Sequence, residues 1–169
     1  FVESARMLLF GLARLPEFAG PGIDRGQCAT LLADVAAGLS DYSLLGYVTP
    51  DGRLVCASSA LEDGAVDVSD RRYVTAAMEQ ESFAIGRLIT GRVSGEGVLP
   101  VAQPVRDGQG RVTGVLTAGL RLSALRDHFA SVRLPPGGSL TVVDGEGRIL
   151  AHHPTSDDWA GRPQSRGHR

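Results

Sequence analysis

The fold is decided by the stretch GVLPVAQPVRDGQGRVTGVLTAGLR, which covers residues 97–121. Two runs rich in aliphatic residues, 97–105 and 111–121, lie on either side of the segment DGQG at 107–110. An Asp-Gly segment between two such runs is typical of a tight turn that joins antiparallel strands. The stretch therefore predicts a long β-hairpin within an antiparallel sheet.

Further strand-like runs lie upstream of this hairpin. Residues 44–48 and 53–58 are joined by the turn sequence TPDG at 49–52, which predicts a second hairpin. Residues 83–90 predict another strand. Between the predicted strands at 53–58 and 83–90, Ser69-Asp70 resembles an N-cap and predicts a short helix that includes residues 73–77.

Helices are predicted at the start of the chain. Residues 1–15 place apolar side chains on one stripe of a helix, which Pro16 ends. Asp24, with Gln27 three positions later, has the pattern of a capping box for the next helix, which extends to about residue 39. Helices that precede the antiparallel strands, instead of alternating with them, predict an α+β fold and argue against a doubly wound parallel sheet.

A second unit is predicted after the linker sequence PPGG at 135–138. Residues 45–55 resemble residues 140–150, and both contain an Asp-Gly hairpin turn. We therefore predict one module over residues 1–134, followed over 135–169 by a linker and the truncated start of a related module. Chance recurrence of Asp-Gly hairpins is the alternative explanation.

Composition excludes several classes of protein. The 169 residues carry 17 basic side chains, all arginine, against 19 acidic ones, for a net charge of -2. This balance argues against nucleic-acid binding, and the 43% hydrophobic content argues against disorder. The chain begins without Met and contains no apolar run of the roughly 18 residues that a bilayer span requires. We expect membrane anchors to lie outside these residues.

No enzymatic motif has the context that its chemistry requires. Glycines at 108–114 lack the spacing and the following helix of a dinucleotide loop, and Ser94 lacks the surroundings of a nucleophile elbow. His152-His153, with aspartates at 157 and 158, occupies adjacent strand positions that point to opposite faces, which disfavours a shared metal. We expect no catalysis, no metal and no cofactor; a small hydrolase that uses Ser94 is the alternative.

The two cysteines allow two interpretations. Cys28 lies on the apolar face of the second predicted helix, and Cys56 lies in the second strand of the first hairpin. If that helix packs beside the hairpin, the pair could form a disulfide. Two independent buried thiols fit the same spacing equally well, because free cysteine is one of the most buried residue types.

The segment Asp70-Arg71-Arg72-Tyr73 carries the densest chemistry in the chain. It lies at a predicted helix start, where free N–H groups favour an anion, and Arg71 could add a bidentate guanidinium. Arg92, in a loop between two strands, could face the same space. In the alternative interpretation Asp70 caps the helix, Arg71 forms a structural ion pair and Tyr73 belongs to the core.

The order and spacing of these motifs resemble double Cache (PDC, PAS-like) sensor domains. These are the extracytoplasmic ligand-binding parts of bacterial histidine kinases, diguanylate cyclases and chemoreceptors. Residues 1 to about 134 resemble the membrane-distal module. Residues from 139 onward, including 151–154 and 159–162, resemble the start of the membrane-proximal module. The segments that carry the resemblance are 46–56 (GYVTPDGRLVC), 68–73 (VSDRRY), 85–95 (IGRLITGRVSG) and 104–116 (PVRDGQGRVTGVL).

The resemblance implies a PAS-like fold with a long N-terminal helix and a central antiparallel sheet that carries a ligand pocket on one face. It favours a Cys28–Cys56 disulfide, because such domains lie outside the cytoplasm. Arg71 and Tyr73 match the carboxylate-binding arginine and an aromatic of the amino-acid-binding branch.

Three other positions of that branch differ here, namely Val74, Ile89 and Gly91. These differences argue against a free α-amino acid as the ligand and leave a small anion, such as a carboxylate, as the expected ligand. The expected binding residues are Arg71, Tyr73, Arg92 and Gln103.

The expected function is therefore ligand sensing by a transmembrane receptor, with a sensor histidine kinase as the favoured type. The partner is a small molecule, and residues 1–15 offer a surface for homodimerisation, although the same stripe could instead pack on the chain's own sheet. A cytoplasmic PAS-like or GAF-like module that binds a cofactor or partner is the alternative.

Overall fold

The computed structural model describes residues 1–20, 22–144 and 146–154. The helices are α1 (Val2–Leu12), α2 (Pro16–Ala19), α3 (Arg25–Ala37), α4 (Arg72–Glu79) and α5 (Leu122–Ala130). The strands are β1 (Tyr42–Val48), β2 (Arg53–Ala57), β3 (Val66–Asp67), β4 (Ala84–Ile85), β5 (Ile89–Thr90), β6 (Gly97–Arg106), β7 (Val112–Arg121), β8 (Leu140–Val143) and β9 (Ile149–His153).

Strands β1 to β7 form one antiparallel sheet in the order β3-β2-β1-β7-β6-β4, and β5 pairs with β6 beside β4. The hairpin predicted over 97–121 is confirmed as β6 and β7, in which Val98 pairs with Arg121 and Val105 with Gly114. The predicted first hairpin is confirmed as β1 and β2. The α+β class with an antiparallel sheet is therefore confirmed.

The sheet separates two apolar cores because successive strand residues point to opposite faces. In β6, Leu99, Val101 and Val105 belong to the helix-side core, which the sheet shares with α1, α2 and α3. Ala102 belongs to the α4-side core on the opposite face. The N-terminal helices and α4 therefore lie on opposite sides of one sheet.

The apolar stripe of the first helix packs against the chain's own sheet. Ala5, Leu9 and Leu12 are buried in the helix-side core. The outward face of α1 instead exposes Met7 (68%) and Phe10 (47%). The stripe that the sequence offered for dimerisation is thus occupied within the chain.

Three local predictions differ in outcome. Asp24 caps α3 as predicted, its Oδ1 accepting a hydrogen bond from the Gln27 amide at 2.9 Å. Asp70 does not cap α4, whose N-cap is Arg71 without a side-chain hydrogen bond. The strand predicted over 83–90 is split into β4 and β5 around Gly86, where a Cβ would lie only 2.7 Å from the Pro100 ring.

The two cysteines form a disulfide, which confirms the pairing favoured by the family resemblance. Cys28 in α3 and Cys56 in β2 are 6.1 Å apart at Cα, and both are buried. The bond joins the helix layer to the sheet. Within the described residues, no helix has both the length and the apolar character needed to cross a membrane.

The last described element is a separate two-stranded sheet of β8 and β9. Its apolar residue Leu150 belongs to the helix-side core, as does Leu125 of α5, and α5 packs against β9. The division into modules at residue 134 stays a prediction. Residues 155–169, including Asp157, Asp158 and the segment 159–162, lie outside the described residues.

Candidate functional site

A tight turn before α4 positions the candidate binding residues. The Asp67 carboxylate accepts hydrogen bonds from the Ser69 amide at 2.9 Å and from its hydroxyl at 2.7 Å. The Arg71 amide donates to the Val68 carbonyl at 3.0 Å. Aspartate readily forms such local turns with the backbone that follows it. The turn places Arg71 at the N-cap and Tyr73 in the first turn of α4.

Arg92 forms an ion pair with Asp70. Its two terminal nitrogens donate to the two carboxylate oxygens at 2.7 Å each, in the planar fork geometry of arginine and carboxylate. Arg92 also donates to the Asp67 carbonyl. These hydrogen bonds lower the pKa of Asp70 and raise that of Arg92. Arg92 therefore ties its loop to the turn before α4 and has its charge balanced locally.

Arg71 has no such partner. Within the described part of the chain its side chain forms no ion pair, and its one hydrogen bond is a long one of 3.4 Å to the Thr90 carbonyl. The residue is half-buried. A guanidinium with unused donors is well suited to bind an anion in a bidentate manner.

Tyr73 forms a wall beside Arg71. Burial raises the pKa of the Tyr73 phenol, while a hydrogen bond with the Thr117 side chain and the positive charge of Arg71 act in the opposite direction. The phenol therefore stays protonated at neutral pH. Its ring also packs closely against the backbone of Gly86.

A small cavity of about 50 Å³ lies between these residues and the sheet. Arg71, Tyr73 and Arg92 all line it, so the structure brings these three predicted residues together. The rest of the lining is mostly apolar and comes from β1, β2, β3, β5, β6, β7, the turn before α4 and the loop before β6. Its apolar members are Leu44, Val48, Leu54, Val66, Val68, Ile89, Val93, Val98, Pro100 and Ala118.

Gln103 is not part of this cavity. It has the same strand parity as Val101 and Val105, which belong to the helix-side core, whereas Pro100 lines the cavity from the other face. The strict alternation of an extended strand explains the difference. Its side chain makes one long hydrogen bond of 3.5 Å to the Pro104 carbonyl.

Several polar residues line the cavity that the sequence did not identify as binding residues. Ser43 and Thr117 reach it from β1 and β7, and each hydroxyl donates to a backbone carbonyl, of Gly119 at 3.1 Å and of Val101 at 2.9 Å. Ser94 also lines the cavity, as a loop residue whose hydroxyl accepts from the Glu96 amide at 3.4 Å. The alternation of β7 could have identified Thr117, but only if the buried face were already known.

An open cleft of about 390 Å³ adjoins the cavity and shares Arg71, Tyr73 and Ile89 with it. Arg72 and Arg87 line this outer cleft. Arg87 donates to the carboxylate of Glu146 at 3.1 Å, which connects the segment between β4 and β5 with the β8–β9 turn. Arg71 thus stands at the boundary between the apolar cavity and a polar, solvent-facing cleft.

Metal-binding residues do not cluster in the described ranges. No group of three or more His, Cys, Asp or Glu side chains there has the geometry to hold an ion. The Nδ1 of His152 instead contacts the Thr141 hydroxyl at 2.8 Å.

Comparison with known proteins gives a family match over nearly the whole chain. A family model described as "Cache domain" (dCache_1) matches residues 1–166. No curated protein sequence matches.

Solved structures share this fold. The extracellular domain assigned to a histidine kinase, rpHK1S-Z16, aligns with a TM-score of 0.78 at 24% identity, covering 96% of this chain and 66% of that one. The ligand-binding domain of the Pseudomonas fluorescens chemoreceptor CtaA, in complex with L-serine, gives a TM-score of 0.73 at 17% identity, covering 96% and 67%.

A third structure is the ligand-binding domain of the Pseudomonas aeruginosa PAO1 chemoreceptor PctC, in complex with GABA. It gives a TM-score of 0.68 at 22% identity, covering 90% of this chain and 68% of that one. The chain therefore spans about two thirds of the length of these relatives. At such identities the likeness establishes the fold.

Proposed function

The chain belongs to the Cache domain family, and from this membership we propose that it is the extracytoplasmic ligand-sensing part of a bacterial transmembrane receptor. The similar solved structures are sensor domains of a histidine kinase and of chemoreceptors. A sensor histidine kinase is the proposed receptor type. The buried disulfide supports the extracytoplasmic location, because disulfides persist in oxidising compartments.

The proposed ligand is a small anion bound by Arg71. One observation carries this proposal: a half-buried arginine without an ion pair in the described chain stands at the edge of a mostly apolar cavity. Tyr73 would form the adjacent wall of the site. Arg92 would act by holding the turn before α4, since its own donors are already bound to Asp70.

The proposed role is binding and not catalysis. Ligand entry would shift α4 and the loop before β6 against the sheet, and the sheet would pass this shift to α1 on its opposite face. Such coupling requires the ligand to bind the two arrangements with different affinity. Dimerisation through the N-terminal helix would use the outward face that carries Met7 and Phe10.

A ligand screen by thermal shift tests the binding proposal. Small carboxylates, amino acids, amines and nucleobases are added to the chain, since a ligand that binds the native state raises its melting temperature. Val93 is half-buried and lines the cavity, so Val93→Phe fills it and should abolish the shift. Val132→Phe is the control, because Val132 is exposed and remote from the cavity. A panel without any shift, or a shift that survives Val93→Phe, would refute the proposed site.

The location is tested separately by quenching intact cells of the native host in denaturant that contains an alkylating agent, because Cys28 and Cys56 are too buried in the native fold to react. We expect Cys28 and Cys56 to be protected as a disulfide. Rapid alkylation of both would indicate a reducing compartment and contradict the extracytoplasmic proposal.

A further inference from the structure

We propose that the ion pair between Arg87 and Glu146 is a releasable latch that passes movements of α4 to the β8–β9 hairpin. The inference rests on the proposed function only for its trigger, the movement of α4, and adds a route that does not cross the sheet to α1. The route runs through neighbouring contacts. Tyr73 in α4 touches Gly86 between β4 and β5, and the next residue, Arg87, pairs with Glu146 in the turn between β8 and β9.

The first contact of this route is a close one between α4 and Gly86. A Cβ at Gly86 would lie 2.7 Å from the Pro100 ring and 3.1 Å from the Cβ of Tyr73. The Gly86 amide also donates to the Pro100 carbonyl at 2.8 Å. Because interiors are close-packed and barely compressible, a shift of Tyr73 toward Gly86 must displace the Gly86 backbone and, with it, Arg87.

Arg87 connects this segment with the hairpin. Its Nη1 donates to both carboxylate oxygens of Glu146, at 3.1 Å and 3.4 Å. Among the residues that the structure describes, no other ion pair joins the hairpin to the preceding part of the chain. The two side chains are 50% and 46% exposed, so the pair is weak enough to break reversibly.

The turn that carries Glu146 is held together from within. Asp144 is buried, and its Oδ1 accepts hydrogen bonds from the amides of Glu146 and Arg148 at 2.9 Å each. The Asp144 carbonyl also accepts a hydrogen bond from the Gly147 amide at 3.0 Å. The turn can therefore leave Arg87 as a unit, without losing these hydrogen bonds.

The other attachment of the hairpin is apolar. Ile149, Leu150 and Ala151 of β9 are buried, and β9 packs against α5. Burial of such side chains stabilises a contact more than an exposed ion pair does. Release of Arg87 from Glu146 should thus free the turn while β9 stays on α5. This gives the hairpin the two discrete arrangements that a conformational signal requires.

Amide NMR relaxation on the chain tests the latch, because order parameters and relaxation dispersion together report fast and slow motion of the turn. Arg87→Gln and Glu146→Gln should each raise the population of the released turn by about twofold to fivefold, the factor that an exposed ion pair supplies. The double variant should not exceed either single variant, since both remove the same contact. Arg148→Gln is the control and should leave the turn docked, because Arg148 contacts Glu146 only from within the hairpin.

Gly86→Ala tests the route from α4 without any ligand. The added methyl group must push the backbone away from Tyr73 and Pro100, and it should release the turn as the ion-pair variants do. In the Glu146→Gln background it should have no further effect on the turn. Gly108→Ala is the matched control, because a Cβ there meets nothing within 4 Å. Melting temperatures show that each variant folds, and Arg87→Gln and Glu146→Gln test the latch independently because they leave the packing at Gly86 untouched.

Two sets of results would overturn the inference. A turn that is equally ordered in wild type, Arg87→Gln and Glu146→Gln would exclude the latch. A turn that does not respond to Gly86→Ala, or that responds equally in the Glu146→Gln background, would exclude the route through the ion pair. Neither result bears on ligand binding, which the thermal-shift screen tests separately, so failure of the latch is distinguishable from failure of the proposed function.

Discussion

Reducing the Cys28–Cys56 disulfide should lower the stability of the chain substantially. The bond closes a loop of 28 residues and thereby restricts the unfolded chain. Chain-entropy arguments give a loss of about 3.5 kcal/mol for a loop of this length. In a chain of this size, that corresponds to a fall in melting temperature of about 10 °C.

The measurement compares oxidised and reduced wild type by urea and thermal denaturation. Reduction is carried out in denaturant before refolding, because both cysteines are nearly inaccessible in the native fold, at 1% and 3% exposure. Reduced wild type is a cleaner comparison than an alanine variant, since buried thiols pack as small apolar groups and leave no cavity.

The control is the double variant Cys28→Ala, Cys56→Ala, whose melting temperature should not respond to reductant. Two free thiols in native protein would contradict the assigned disulfide. A stability difference below about 1 kcal/mol between the two redox states would refute the loop-entropy reasoning.

Three further predictions concern backbone strain, ionisation and the connection to the last hairpin. Gly52→Ala should lower the free energy of unfolding by at least about 2 kcal/mol, because φ is +81° and the new Cβ would lie 2.5 Å from the Cβ of Ser69. Gly64→Ala should cost only about 1 kcal/mol, because Gly64 has a similar φ of +70° but lies in open space. Equal losses of the two variants in denaturation would contradict this reasoning. Burial raises the pKa of Tyr73 above its ordinary value of 10.0. The stability that this shift contributes is therefore complete below pH 10.0 and is lost as the pH rises through the folded-state pKa. A Tyr73→Phe variant should lose less unfolding free energy than wild type between pH 9 and 11, and parallel stability profiles of the two proteins would disprove the link. A double-mutant cycle of Arg87→Ala and Glu146→Ala should give a coupling energy of at most about 1 kcal/mol, because both side chains are about half exposed. This coupling energy should fall in high salt. A larger value that does not depend on salt would be inconsistent with a solvated ion pair.

Local sequence signals gave the fold reliably where short-range chemistry dominates. The Asp-Gly turn at 107–110 and the aliphatic runs beside it predicted β6 and β7 because strand alternation and turn preference are properties of adjacent residues. Asp24 was likewise recognisable as a cap, since its partner is only three residues away. The same approach failed at Asp70, whose partner Arg92 is 22 residues distant.

The candidate site shows the same limit. Arg71 and Tyr73 were predicted because they belong to a motif of consecutive residues, and the fold brings both to the cavity. Gln103 does not line the cavity, because it shares the strand parity of Val101 and Val105 on the opposite face, and this register cannot be read from the sequence. Thr117 lines the site but carries no local signal of binding.

The sequence by itself determined the element types, the α+β class, the charge and the absence of lysine, because each depends on composition or on neighbouring residues. Only the tertiary structure decided which arginine forms an ion pair. Arg71 and Arg92 are the same residue type and line the same cavity, yet Asp70 pairs with Arg92, and among the described residues Arg71 has no ion pair. Ion pairing depends on distance in space, and the chain sets that distance only when the sheet and its loops come together.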